Sequence, residues 1–294
     1  MQTNAYEPVH FSYAAPSDPY LKRIVIGTIE RMTGQPYLKH LYDSYRNAPI
    51  AGENFWDACI RHLELNIDYN EEALSAVPRE GPLVIVANHP FGVLDGIVLS
   101  YLTSKVRQDF RILTNSVLYR AEELRPYVLP VDFAETKEAL DSNIKSRAEG
   151  RRFLKGGGCI VVFPAGGAAT TPKIWSRRAV DLEWGPFTAG LIAQSKSSVL
   201  PVYFAGQNSR LFQIASHISM TLRLSLFFKE VYDNIGGVIR LRIGKVIPFN
   251  RLETLDRKEF MQYLRSATYA MAPLTPDPPK SRKPRSQKRV RKSP

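Results

Sequence analysis

A histidine and an aspartate, His89 and Asp95, stand in the stretch Val84-Ile85-Val86-Ala87-Asn88-His89-Pro90-Phe91-Gly92-Val93-Leu94-Asp95-Gly96. An imidazole beside a carboxylate is a proton-handling unit. The carboxylate holds the ring in one tautomer and stabilises its cation, so the other ring nitrogen can accept a proton from a reacting group. Both residues also have quieter uses. An aspartate in a first helical turn complements the helix dipole, and a histidine after a strand can satisfy a backbone carbonyl.

The elements around the pair decide between these uses. Helical side chains advance by about 100° per residue, so positions 89 and 95 on one helix would face different ways. They meet only if His89 precedes the helix and Asp95 lies in its first turn. The β-branched run at 84–86 reads as a buried strand. Pro90 presets φ, and Gly92 permits a conformation other residues avoid. An apolar stretch over 93–104 then reads as a helix.

Asn88-His89-Pro90 through Asp95-Gly96 resembles the first motif of the glycerolipid acyltransferase superfamily, above all its hemolysin-like, lysophospholipid acyltransferase branch. That branch has the form Asn-His-Pro-x-Gly-x-x-Asp-Gly, with the five intervening residues seen here. Three further blocks follow in the family's order. Leu113-Thr114-Asn115-Ser116 with Glu123-Leu124-Arg125-Pro126 resembles the second, Val162-Phe163-Pro164-Ala165-Gly166 the third, and Val199-Leu200-Pro201-Val202 the fourth. The departure is Ala165, where the wider family usually carries a glutamate associated with acceptor binding.

The rest of the chain bounds the setting. Its 294 residues, 44% of them hydrophobic, can build a substantial core. Cys59 and Cys159 form no ligand-like cluster, which predicts neither a disulfide framework nor a metal site and suits a reducing cytoplasm. Of the net charge of +12, +7 falls in Thr275 to Pro294, where eight Lys or Arg face only Asp277. That tail lacks an aromatic residue for base stacking, so nucleic acid is an unlikely partner and an anionic membrane surface the better one. No apolar run reaches the roughly 18 residues of a membrane span, and no secretory signal opens the chain. The expected location is cytoplasmic, peripheral on the inner face of the cell membrane.

The pattern divides into an irregular arm over 1–18, a helical element over 19–66, a catalytic domain over 67–273 and a disordered basic tail over 274–294. Strands alternate with helices through the third of these, and polar motifs recur at strand ends. This predicts an α/β fold, a mixed sheet flanked by helices, with the site at the carboxyl edge of the strands. The family resemblance implies the glycerol-phosphate-acyltransferase-like version of that fold.

Other candidates lie near the same edge. Asn88 and Gly92 belong to the first turn, while Asn115 closes the next strand and either orients substrate or caps a turn. In Phe163, Pro164, Gly166 and Gly167 the small residues allow backbone N–H groups to approach an oxyanion or phosphate. Arg177, Arg178 and Arg210 pair with a phosphate or an acidic carrier, or are solvated surface charge, and Asn208 sits beside Arg210. The apolar run over 211–228 is either a wall for an acyl chain or a buried helix.

The resemblance implies O-acyl transfer without a bound cofactor, from acyl-CoA or acyl carrier protein as co-substrate, with His89 as base and Asp95 as its partner. The acceptor it implies is a lysolipid similar to lysophosphatidic acid. A lyso-aminolipid such as lyso-ornithine lipid is the alternative, and a non-catalytic lipid-binding protein of the same fold a third reading.

Overall fold

The computed structural model describes residues 19–115, 122–131 and 136–273. The expected arm over 1–18, Ser116 and the basic tail lie outside these residues. Three helices open the described chain: α1 (Tyr20–Met32), α2 (Gln35–Asn47) and α3 (Phe55–His62). Asn54 starts α3 by accepting the N–H groups of Trp56 and Asp57, both at 2.9 Å.

A short strand β1 (Asn66–Asp68), helix α4 (Glu71–Ser75), strand β2 (Leu83–Ala87) and helix α5 (Val93–Ser104) follow. The chain continues through β3 (Phe110–Asn115), β4 (Val128–Val131), α6 (Lys137–Lys155), β5 (Cys159–Val162), α7 (Phe187–Ser195) and β6 (Ser198–Ala205). It closes with α8 (Arg210–Ile218), α9 (Met220–Ser225), α10 (Phe227–Asn234), β7 (Val238–Ile243) and α11 (Arg257–Tyr269).

Among the described residues the strands form one seven-stranded sheet in the order β1-β7-β6-β2-β5-β3-β4. Pairing is parallel from β6 to β4, while β7 runs antiparallel to β6 and carries β1 parallel to itself. The sheet is therefore mixed, as the sequence predicts. Every residue of β2 is buried because helices cover both faces. Leu83, Ile85 and Ala87 enter the core beneath α3 and α5, whereas Val84 and Val86 enter the one shared with α7 and α11. This double burial is why the strand reads as a continuous β-branched run.

The apolar run over 211–228 is not one helix. Ser219 adopts an extended conformation (φ −160°, ψ 134°) that ends α8, and its hydroxyl oxygen accepts Thr221 N–H at 3.2 Å to start α9. Serine favours such caps because its side chain competes locally for backbone N–H groups. The break turns α9 and α10 back toward the carboxyl edge of β2. Helix α4 was not anticipated, being a single five-residue turn too short to show a period.

Candidate active site

The order β6-β2-β5 sets the site, because three loops leave neighbouring parallel strands at the same edge. They carry Asn88 and His89 after β2, Phe163 to Ala169 after β5, and Gly206 to Arg210 after β6. A crevice outside the carboxyl ends of parallel strands is where α/β sheets bind ligands.

His89 and Asp95 meet there. His89 Nδ1 lies 3.1 Å from Asp95 Oδ2, with Asp95 fully buried and the His89 side chain 17% exposed. The separation is hydrogen-bond length although the ring N–H is not well aligned with the oxygen. Catalytic bonds of this kind often tighten only with substrate in place. The same Oδ2 accepts the N–H groups of Phe91 at 2.8 Å and Gly92 at 2.9 Å, so the carboxylate ties the turn to the first turn of α5. Burial pushes the Asp95 pKa up, opposed by His89 and by those two N–H groups.

Gly92 makes the turn possible. Its φ is +73°, and a Cβ there would stand 2.4 Å from Phe227 Cε1 on α10. The His89 ring stacks on Phe163, centroids 4.1 Å apart and planes at 24°. Its backbone is held as well: the carbonyl accepts Ala169 N–H at 2.7 Å, and the N–H donates to Asp181 Oδ1 at 3.0 Å. Asp181 is itself buried, accepts Trp184 Nε1–H at 2.9 Å and donates its own N–H to Tyr269 Oη at 3.1 Å. Burial raises the pKa of the Asp181 carboxyl and pushes the Tyr269 phenol to about 12.

His89 opens on a cavity of about 980 Å³. Its walls come from α2 and α3 (Leu38, Leu41, Tyr45, Phe55), from α5 and β3, and from α9 and α10 (Met220, Leu224, Phe227, Phe228). Gly92, Asn115, Phe163, Pro164, Gly166 and Gly167 also line it. No Asp or Glu does so among the described residues. Gly166 N–H is already bonded to Phe163 O at 3.0 Å, so of the two glycines only Gly167 keeps its N–H free of a hydrogen bond among the described residues.

Other predicted residues lie outside this cavity. Asn88 is buried and bridges the strand ends, its amide bonded to Phe204 N–H at 2.6 Å and Phe204 O at 2.9 Å. Asn208 is buried behind the first motif, where its N–H reaches Pro90 O at 3.3 Å. Arg177 and Arg178 are exposed, and Arg210 donates to the carbonyls of Ser176, at 2.6 Å, and Ile174. These placements follow from the loop over 174–178, which Arg210 fastens to α8 away from the cavity.

Two residues that sequence reasoning passed over are drawn in. Asp181 reaches His89 across 92 positions, with no local signal to set it apart from Glu183 two residues on. Arg223 on α9 lines the cavity and donates from Nη2 to Ala168 O at 2.6 Å. Its signal was visible as the single charge in the apolar run from Ile218 to Phe228.

An imidazole, a buried carboxylate behind it and a mainly apolar cavity in front can handle a proton beside an apolar chain. The model of the acyltransferase family matches residues 25–274, and the chain belongs to that family. It is an acyltransferase. Its similarity to the lyso-glycine lipid O-acyltransferase of Phocaeicola vulgatus is 25% identity over 271 residues, covering 86% of this chain and 89% of the relative. The lyso-glycine lipid O-acyltransferase of Bacteroides thetaiotaomicron is 23% identical over 268 residues, covering 86% and 91%. Among solved structures, the 1-acyl-sn-glycerophosphate (LPA) acyltransferase PlsC from Thermotoga maritima superposes with a TM-score of 0.46 at 12% identity, over 85% of this chain and 95% of that one.

Proposed function

We propose that the protein transfers a fatty acyl group from an acyl thioester, acyl-CoA or acyl carrier protein, onto the free hydroxyl of a lyso-aminolipid of the lyso-glycine lipid kind. The observation that carries this reading is the His89–Asp95 pair opening on a cavity of about 980 Å³ whose lining is mainly apolar and, among the described residues, without a carboxylate. Of the two acceptors left open by the sequence, a lysophosphatidic acid and a lyso-aminolipid, the second is favoured by the names of the two relatives.

In the reaction, His89 Nε2 removes the acceptor hydroxyl proton as that oxygen attacks the thioester carbonyl. Asp95 holds Nδ1 and stabilises the imidazolium that forms. The new C–O bond creates a tetrahedral oxyanion, for which Gly167 N–H is the available backbone donor beside the cavity. Collapse breaks the C–S bond, and the departing thiolate takes the proton back from His89. Base catalysis contributes about 100- to 10,000-fold, with the remainder from holding both substrates in one cavity.

The membrane-surface setting is supported by apolar side chains exposed on α1 and where α8 meets α9. Tyr20, Leu21 and Met32 of α1 are at least 74% exposed, and Ile218 and Met220 stand 64% and 63% exposed where α8 meets α9. Helix α1 packs on α9, whose Met220 and Leu224 line the cavity, so a lysolipid leaving a bilayer at this face has a short path inward. Among the described residues no helix is long and apolar enough to cross a membrane.

The test is transfer of labelled acyl chains from acyl-CoA and from acyl carrier protein to lyso-glycine lipid and to lysophosphatidic acid, using wild type and a folded His89→Ala variant. We expect lyso-glycine lipid to be acylated and the variant to lose at least about 100-fold in rate. Transfer to neither acceptor, or transfer unaffected by the substitution, overturns the reading.

A further inference from the structure

Arg223 presents a charge that the described residues leave unbalanced. Its guanidinium reaches the cavity wall at Ala168, where Nη2 donates to the carbonyl, and Cζ sits 5.8 Å from the centre of the Phe212 ring. Nε and Nη1 make no hydrogen bond and no carboxylate pairs with the group, among the described residues. Arg223 is half-buried, and its open N–H groups can pair with an anion through charge-assisted hydrogen bonds. Burial alone lowers its pKa, the direction expected when no anion faces it. The group nevertheless stays a cation, since guanidinium does not deprotonate in proteins.

The position is tied to the reacting end of the cavity. Ala168 O holds Arg223 while the next residue, Ala169, donates its N–H to His89 O at 2.7 Å. One short loop thus fixes both the proton acceptor and the cation. The other arginine on the wall, Arg147, is exposed and stacked over Phe187, with Cζ 4.8 Å from that ring.

We propose that Arg223 is the head-group anchor of the acceptor, receiving the carboxylate of the lysolipid so that its hydroxyl falls at His89 and its chain lies along the apolar wall. This rests on the acceptor class proposed above. Planar guanidinium suits a carboxylate because two N–H groups can reach both oxygens, which selects an acid over its ester or amide. Specificity for a charged head group then comes from one residue, because an uncharged head would cover the cation without pairing with it.

The experiment measures binding without turnover. N-palmitoylglycine carries the carboxylate but no hydroxyl to acylate, and its methyl ester removes only the charge. Both are titrated calorimetrically, below their aggregation concentrations, into the full chain as wild type, Arg223→Met and Arg223→Lys. Wild type should bind the acid about 10- to 100-fold more tightly than the ester. Arg223→Met should bind both with the wild-type affinity for the ester, which also reports that its cavity is folded. Arg223→Lys should keep part of the preference. With lyso-glycine lipid as substrate, Arg223→Met should raise the acceptor KM while the donor KM stays unchanged.

Wild type binding the acid no better than the ester, or not at all, overturns the proposal. So does an Arg223→Met variant that weakens acid and ester alike, or one whose donor KM rises instead. Binding is read apart from catalysis, so a failure of acyl transfer and a failure of carboxylate recognition give different results.

Discussion

Replacing Asp95 by asparagine separates the two things this carboxylate does. Its Oδ2 accepts the Phe91 and Gly92 N–H groups at 2.8 and 2.9 Å, and an asparagine carbonyl oxygen of the same size can keep both bonds. The turn should survive. What is lost is the negative charge 3.1 Å from His89 Nδ1. At an effective dielectric of about 20, that charge stabilises an imidazolium by at most roughly 5 kcal/mol, and hydrogen bonds to charged groups contribute about 1.5–3 kcal/mol net. The acyl-transfer rate should therefore fall about 100- to 1,000-fold, with both KM values nearly unchanged.

Stability should move the other way. Burial holds the Asp95 carboxyl above its ordinary value, so the unfolded chain releases this proton first as pH rises. Asp95 therefore helps the folded state most below the ordinary carboxylate pKa of about 4, and that help is lost as pH rises through the higher folded value. Asp181 titrates in the same sense but is common to both proteins, so the difference between them isolates Asp95. Urea melts of wild type and Asp95→Asn between about pH 4 and 8 should show the wild type losing ground as pH rises. A variant turning over within threefold of wild type would refute the pairing as the source of rate. A wild type that gains on the variant with rising pH would refute the burial argument.

Two further substitutions test the turn at the site and the opposite, amino edge of the sheet. Gly92→Ala forces a side chain to φ +73° and against Phe227, and should cost about 1–3 kcal/mol in a urea melt while lowering turnover by shifting the donors to Asp95. Equal stability and turnover would show that the turn relaxes freely. Arg107→Met removes a buried guanidinium that donates to Pro78 O, Gly81 O and Gly157 O at 3.0, 3.1 and 2.7 Å. Because Asp109, its ion-pair partner, is 47% exposed, most of the loss comes from the three carbonyls, about 3 kcal/mol or more. A shift under about 1 kcal/mol in the melt would mean that other donors replace it.

What was legible in the chain is what short-range pattern records. The run at 84–86 reads as a strand because β2 is covered on both faces, and the helix expected over 93–104 has the bounds of α5. Pro90 and Gly92 announce the turn between them, since backbone geometry at a turn is set by the residues in it. The first and third motif blocks are strand ends with the turns that follow them, and the fourth lies wholly within β6. Much less was visible in 211–228, where one apolar run hides a break at Ser219 and three helices. Composition does not reveal a cap whose effect depends on the direction of the next element.

Spacing made the meeting of His89 and Asp95 conditional on a turn of the right shape, and the folded turn supplies it. Other pairings lay beyond any local pattern. Asp181 holds the His89 backbone across 92 positions, and Arg223 reaches Ala168 across 55. The first depends on β2 and β5 lying side by side, the second on α9 turning back over the end of β5. Arg177, Arg178 and Arg210 looked equally suited to bind an anion, yet the loop that carries or meets them leaves them outside the cavity, while Arg223 points in. Residue type and spacing select a chemistry because they act within a few positions. Which charge faces the substrate is settled only when distant segments pack, because burial and the company of other charges belong to the folded chain.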